Sequence, residues 1–220
     1  MERGAAPPLR NIMSIMRNSP AAFTIMRLNA DIAALHSSDV APWEFLSTLG
    51  EKLRHVIAAL GAPYVVTDDV AVHVTARVDP TATIKAPAVI GPECFVGPHT
   101  LLRGGVWLME SASVGPGVEI ARSVIGERTA LAHFNFVGDS VLGAEVNMEA
   151  GAVIANHYNE RTDKTVHVLV DGTKVSTGTT KFGALVGDGC KIGANAVLSP
   201  GTMLTPGSIV GRLELVDQVG

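Results

Sequence analysis

Aliphatic residues recur every six positions over most of the chain. Val72, Val78, Ile84, Ile90, Val96, Leu102, Leu108, Val114 and Ile120 keep this interval without a slip. The frame stumbles by one residue and resumes at Ile125, Leu131, Val137, Leu142, Met148 and Ile154. A further run follows at Val186, Ile192, Leu198, Leu204 and Val210. Two positions before the aliphatic residue the side chain is usually small, as at Ala76, Ala82, Ala88, Cys94, Thr100 and Ala112. A six-residue period predicts a parallel β-helix, in which each hexad supplies one short strand and one corner. The aliphatic residue points inward, and three hexads close a triangular coil of about eighteen residues. Stacked coils bury a continuous aliphatic ladder, each coil resting only on its neighbours. A β-sandwich with aliphatic strands would not hold this spacing over so many repeats.

Residues 1–70 carry no hexads and read as a helical cap or arm. "PLRNIMSIMRN" and "SPAAFTIMRLNADIAAL" space apolar residues by three and four, with Ser19 before Pro20 as a helix start. "APWEFLSTLGEKLRHVIAALGAP" is the strongest helix, with Trp43, Leu46, Leu49, Leu53 and Ile57 on its buried face and Gly61 and Pro63 at its end. Such a segment would cover the edge strands of the open first coil, or serve as an arm for a partner. The β-helix is expected over residues 71–212, with an insertion arm at 157–183 and a short tail at 213–220. Inside the insertion, "TVHVLVDGTKV" alternates apolar and polar residues around Asp171-Gly172, a hairpin signal because that pair accepts positive φ. The arm is expected to project from one corner of the prism.

Composition narrows the partners. A net charge of −4 argues against a nucleic-acid polyanion. No apolar run is long enough to span a bilayer, and "MERGAAPPLRNIM" lacks the apolar stretch of a signal peptide. The two cysteines, Cys94 and Cys190, take small inward positions of the repeat. A disulfide-free, cytoplasmic protein is therefore expected.

The frame breaks just before "LAHFNFVGDS", where the scaffold relaxes its own rule. His133 lies in this segment, with Asn147 and Asn156 on the coils that follow. At eighteen residues per coil, His133 would stack beside Gly151. An imidazole titrates near neutral pH and suits proton transfer.

The stretch "AHFNFVGDSVLGAEVNMEAGAVIAN" resembles the acetyltransferase domain of the bifunctional enzymes that make UDP-N-acetylglucosamine, whose motif runs close to H-L-T-Y-x-G-D-x-x-I-G-x-x-x-N-x-G-A-G-T. "VDGTKVSTGTTKFGALVGDGCKIGANAVLSPG" is similar to the archaeal-type sugar-phosphate nucleotidyltransferases. The resemblance covers roughly residues 71–212. It implies an all-β solenoid of left-handed hand and a homotrimer with active sites between subunits. It also implies acetyl-CoA as acyl donor and an amino-sugar 1-phosphate as acceptor. On the matching positions, His133 would be the general base and Arg103 a phosphate ligand. Asn147 and Asn156 would bind the sugar and position the amine. Phe136 stands where the family usually has Tyr, so it can line a pocket but cannot donate a hydroxyl. Lys164 and Lys181 fall where archaeal-type members carry lysines near the pocket. Ala150, Ala194 and Gly211 match positions along which the pantetheine arm runs.

Two departures accompany the resemblance. The family's substrate-binding lysine falls on Ala121, and the adjacent Arg122 would face the other side of a flat strand. No Gly-rich nucleotide loop is present, so uridylyl transfer is not expected of this chain. Other readings are acyl transfer to a UDP-amino sugar or a small amine, and a catalytically silent scaffold. A zinc hydratase would need three converging histidines, and His73, His99 and His157 do not reproduce that spacing.

Overall fold

The computed structural model describes residues 40–220. Short parallel strands wind into a left-handed triangular solenoid with three faces. The first face runs from Arg77–Val78 to Ile209–Val210. The second runs from Thr83–Ile84 to Leu215–Val216, and the third from Val70–His73 to Thr202–Leu204. The hexad residues form one inward column per face: Val96, Val114 and Leu131 on the first, Leu102, Ile120 and Val137 on the second, Ile90, Leu108 and Ile125 on the third. All are buried in one cluster.

The frame slips at two places, Ile120 to Ile125 and Val137 to Leu142. Both lie on the corner between the second and third faces, where five residues replace six. The coils there are one residue short, so Val114 pairs with Leu131 and Leu131 with Met148, seventeen positions apart. A shortened corner leaves backbone groups without their usual partners, and buried serines supply them. The Ser123 hydroxyl donates to the Ala121 carbonyl (2.8 Å) and accepts the Ser140 N–H of the next coil (3.0 Å). The Ser140 hydroxyl repeats the pattern, donating to the Gly138 carbonyl (2.7 Å) and accepting the Ala184 N–H (3.0 Å).

The third face is covered by the chain itself. Its strands are apolar at consecutive positions, as in Val89-Ile90, Trp107-Leu108, Val124-Ile125, Val141-Leu142 and Leu185-Val186, and a strand of this kind is buried on both sides. Two helices lie along it, α1 (Pro42–Ser47) and α2 (Leu49–Ala59). Pro42 opens α1, and the Glu44 carboxylate reaches back to the Ala41 N–H at 3.3 Å. The expected single helix is broken at Thr48, whose hydroxyl takes the Phe45 carbonyl at 3.2 Å. Trp43, Leu46, Leu49, Leu53 and Ile57 are all buried against Val89, Trp107, Val124 and Val141. The helices therefore cover a side of the prism rather than its open end. The helices read at residues 8–18 and 19–35 lie outside the described residues.

The insertion departs after Asn156 and returns at Phe182, whose N–H donates to the Asn156 carbonyl at 3.0 Å. Strands His167–Val170 and Thr173–Ser176 form the expected hairpin, with Asp171 and Gly172 at φ 47° and 77°. It does not project. Val166, Val168, Val170 and Val175 pack into the cluster that holds α1 and α2, and Trp43 meets Phe182 edge-on with ring centroids 5.6 Å apart. The alternation that marks the hairpin gives it one apolar side, and burying that side folds it back. The coils also run beyond residue 212, where a tail was expected: Leu215–Val216 pairs in register with Val197–Leu198. Among the described residues, no helix is long and apolar enough to cross a membrane.

Ser123→Ala leaves the buried Ser140 N–H without its partner, while the Ala121 carbonyl keeps the Asp139 N–H at 2.8 Å. It should destabilise the protein by ~1–3 kcal/mol for the group left unsatisfied. The outward-facing Ser113→Ala should stay within ~0.5 kcal/mol. Urea unfolding of the two variants side by side checks this.

Candidate functional site

His133 sits on the corner between the first and second faces. Because Leu131 pairs with Met148, the residue stacked on His133 is Ala150, not Gly151. Gly151 instead donates its N–H to the His133 carbonyl at 3.0 Å. The same bond recurs upward from Asn195 to Ala150 and from Leu213 to Ala194, each 3.0 Å. His133, Ala150, Ala194 and Arg212 thus form one vertical column, with Gly211 beside its top. Below, Gly115 leaves no room for a side chain, since a Cβ there would stand 1.4 Å from the Ala132 carbonyl oxygen.

The small residues leave the backbone of this column open. The His133 ring is exposed, and its nearest aromatic neighbour is Phe134, edge-on at 5.7 Å. Phe134 is itself 71% exposed in a left-handed backbone conformation (φ 55°). Asn147 is exposed on the adjoining first face, between Ala130 and Lys191 of neighbouring coils. At the top, Glu149 accepts two bonds from the Arg212 guanidinium (2.7 and 2.9 Å) and one from the Ala194 N–H (2.8 Å). The Arg212 bonds first, then the Ala194 N–H, pull the Glu149 carboxyl down to about 2.

The other candidates lie elsewhere. Phe136 is half-buried on the second face, between Glu119 and Val153. Arg103 is on the same face two coils below and is engaged by Glu119 at 2.6 Å. Asn156 occupies the far edge of that face, at the corner with the third, and is 8% exposed. Lys181 is exposed next to Phe182, where the insertion returns to Asn156, and Lys164 is exposed within the insertion. The structure therefore brings His133, Ala150, Ala194 and Gly211 together at one corner, with Asn147 on the adjoining first face. It places Asn156 and Lys181 at another corner, with Phe136 and Arg103 on the face between.

Sequence reasoning missed Asp139 and misplaced Arg122. Arg122 and Asp139 have φ 43° and 46°, so the chain turns there and strand alternation does not apply. Arg122 forms an ion pair with Asp139, whose side chain is 4% exposed. The other Asp139 oxygen accepts from the Asn156 amide at 2.5 Å. Gly138 makes room, because a Cβ there would fall 2.7 Å from the Asn156 Nδ2. The signal was available: Asp139 is the acid of the Gly-Asp pair in the quoted motif, and it lies in a five-residue interval. Ala121 is buried beneath Gly138, so no cation stands at the family's lysine position.

His73, His99 and His157 lie apart, and among the described residues no three His, Cys, Asp or Glu side chains gather as a metal site. Cys94 and Cys190 are both buried and unpaired, and burial pushes the Cys94 thiol up to about 11.

Comparison with known proteins gives the family. Residues 66–175 match the family model of the GMPPB C-terminal domain. The chain belongs to this family of hexapeptide-repeat proteins, which is related to the acetyltransferase domains of GlmU-type enzymes. It is 37% identical over 124 residues to the bifunctional protein GlmU of Methanococcus vannielii, covering 56% of this chain and 29% of that protein. It is 37% identical over 123 residues to a bifunctional sugar-1-phosphate nucleotidylyltransferase/acetyltransferase of Sulfurisphaera tokodaii, covering 53% and 30%. A bifunctional protein GlmU of Bordetella parapertussis is 32% identical over 168 residues, 76% of this chain and 34% of that protein. The chain spans about a third of the length of these relatives.

The Glu149 geometry has a pH signature. A carboxyl lowered from 4.5 to about 2 stabilises the fold above pH 4.5, and that contribution is lost as the pH falls toward 2. Melting temperatures of the wild type and Glu149→Gln should differ above pH 4.5 and converge at pH 2.

Proposed function

We propose that this protein transfers the acetyl group of acetyl-CoA to the amine of an amino-sugar substrate of the glucosamine-1-phosphate type. The observation that carries this reading is the column of exposed His133 under Ala150 and Ala194. It offers a proton acceptor at the foot of a strip of open backbone. The pantetheine arm lies along that strip, past Ala150 and Ala194 toward Gly211, and brings its thioester to His133. The amine attacks the thioester carbonyl carbon, His133 takes the amine proton, the carbon–sulfur bond breaks, and the thiolate leaves to be protonated as CoA. Asn147 and Asn156 bind the sugar, with Phe136 as an apolar wall and Lys164 and Lys181 at the margin.

A second copy completes the site. The third face is already covered, which leaves the first and second faces and the corner between them. The second face carries outward Leu101, Phe136, Val153 and Val197, none fully buried, and Leu215, which is 66% exposed. A homotrimer packed along this face sets Asn156 and Lys181 of one copy opposite His133 of the next. The buried, unpaired thiols suit the reducing cytoplasm.

One observation favours a different acceptor. The family lysine is Ala121, Arg122 is spent on Asp139, and Arg103 is held by Glu119. Among the described residues, the cations that the resemblance would set against a 1-phosphate are thus absent or engaged, which favours an acceptor recognised without them at that point, a UDP-amino sugar with its charge placed elsewhere or a small amine.

Thiol release from acetyl-CoA, run against amino-sugar 1-phosphates, UDP-amino sugars and simple amines, tests both readings. Turnover should appear on one class and fall about 100-fold or more in His133→Ala. Absence of both turnover and CoA binding overturns the reading. Sedimentation equilibrium should give three copies, and a monomer would remove the shared site.

A further inference from the structure

Arg122, Asp139, Asn156 and His157 form a line across the corner between the second and third faces. Arg122 is paired with one Asp139 oxygen. The other accepts from the Asn156 Nδ2 at 2.5 Å. The Asn156 Oδ1 lies 3.1 Å from the His157 Nδ1. Asp139 and Asn156 are buried, while His157 is exposed.

The donor and acceptor roles along this line follow from the chemistry of its first member. An ionised carboxylate only accepts, so Asn156 must present its NH2 group to Asp139. The amide cannot turn over without setting its carbonyl oxygen against the carboxylate. Its Oδ1 therefore faces His157 and accepts, and His157 must carry its ring proton on Nδ1. The neutral ring then keeps its lone pair on Nε2, which has no hydrogen-bond partner among the described residues. A free neutral imidazole prefers the opposite tautomer.

We propose that Asp139 is a positioning residue. Held by Arg122, it fixes the orientation of Asn156 and, through it, the tautomer of His157. The corner consequently presents an acceptor atom, His157 Nε2, to a hydrogen-bond donor such as an amine or hydroxyl of the bound substrate. The identity of that ligand rests on the acyl-transfer reading; the orientation of the three side chains does not.

Two measurements separate these parts. In 15N-histidine-labelled protein, two-bond 1H–15N correlations should show neutral His157 with its proton on Nδ1. In Asp139→Asn the preference should revert toward Nε2–H. Asn156→Ala should do the same, which covers the case in which the Asp139 variant does not fold. Persistence of the Nδ1–H form in the variants, or its absence from wild type, overturns the proposal. In the thiol-release assay, Asp139→Asn should lower kcat about 10- to 100-fold with the KM for acetyl-CoA unchanged. Adding Asn156→Ala to Asp139→Asn should cost no more than Asn156→Ala alone, because the first residue acts through the second. Full additivity would refute that coupling. A wild type with no turnover but an Asp139-dependent tautomer removes the acyl-transfer reading and leaves the positioning role in place.

Discussion

Vertical register is the constraint on which this structure depends. Every coil bonds through its backbone to the coils above and below, and every inward aliphatic residue rests on its counterpart. A residue lost from one coil must therefore be lost from the next, or absorbed at a corner. The chain does both: two successive coils are short at the same corner. Ser123 and Ser140 replace the missing backbone partners, each hydroxyl donating down its own strand and accepting from the next coil. The ladder of Ile120, Val137 and Ile154 continues past the defect without a break.

The shortened corner is also where the polar chemistry collects. Arg122 and Asp139 stand there in left-handed backbone, as residues at other corners do. Asp139 can be buried there because its two oxygens are met by a guanidinium and an amide. The same local event thus keeps the ladder in register and sets the position of Asn156, next to the point where the insertion departs and returns.

Covering the third face decides which surfaces remain available. The helices and the folded hairpin share one apolar cluster, joined where Trp43 meets Phe182. Phe182 also bonds the Asn156 backbone, so the covering layer is tied to the Asp139 corner. What stays open is the first face, the second face and the His133 corner between them, with its column of small residues.

Local spacing and turn residues in the sequence determined the solenoid, the inward ladder, the buried positions Trp43, Leu46, Leu49, Leu53 and Ile57 of the helical segment, and the hairpin at Asp171-Gly172. Each depends on local periodicity or turn chemistry, which a sequence carries directly. His133 and its column of small residues could be picked out through the family motif, whereas the repeat defects themselves lie at another corner, beside Arg122 and Asp139. The stacking partner of His133, the folding back of the insertion and the buried Arg122–Asp139–Asn156 line were settled only by the tertiary structure. A one-residue slip changes which residues stand above one another in every later coil, and a corner's direction depends on φ values that residue type does not specify. Apolar pairs such as Val89-Ile90 and Val141-Leu142 do announce a face buried on both sides, but what covers that face is decided by packing between segments far apart in the chain.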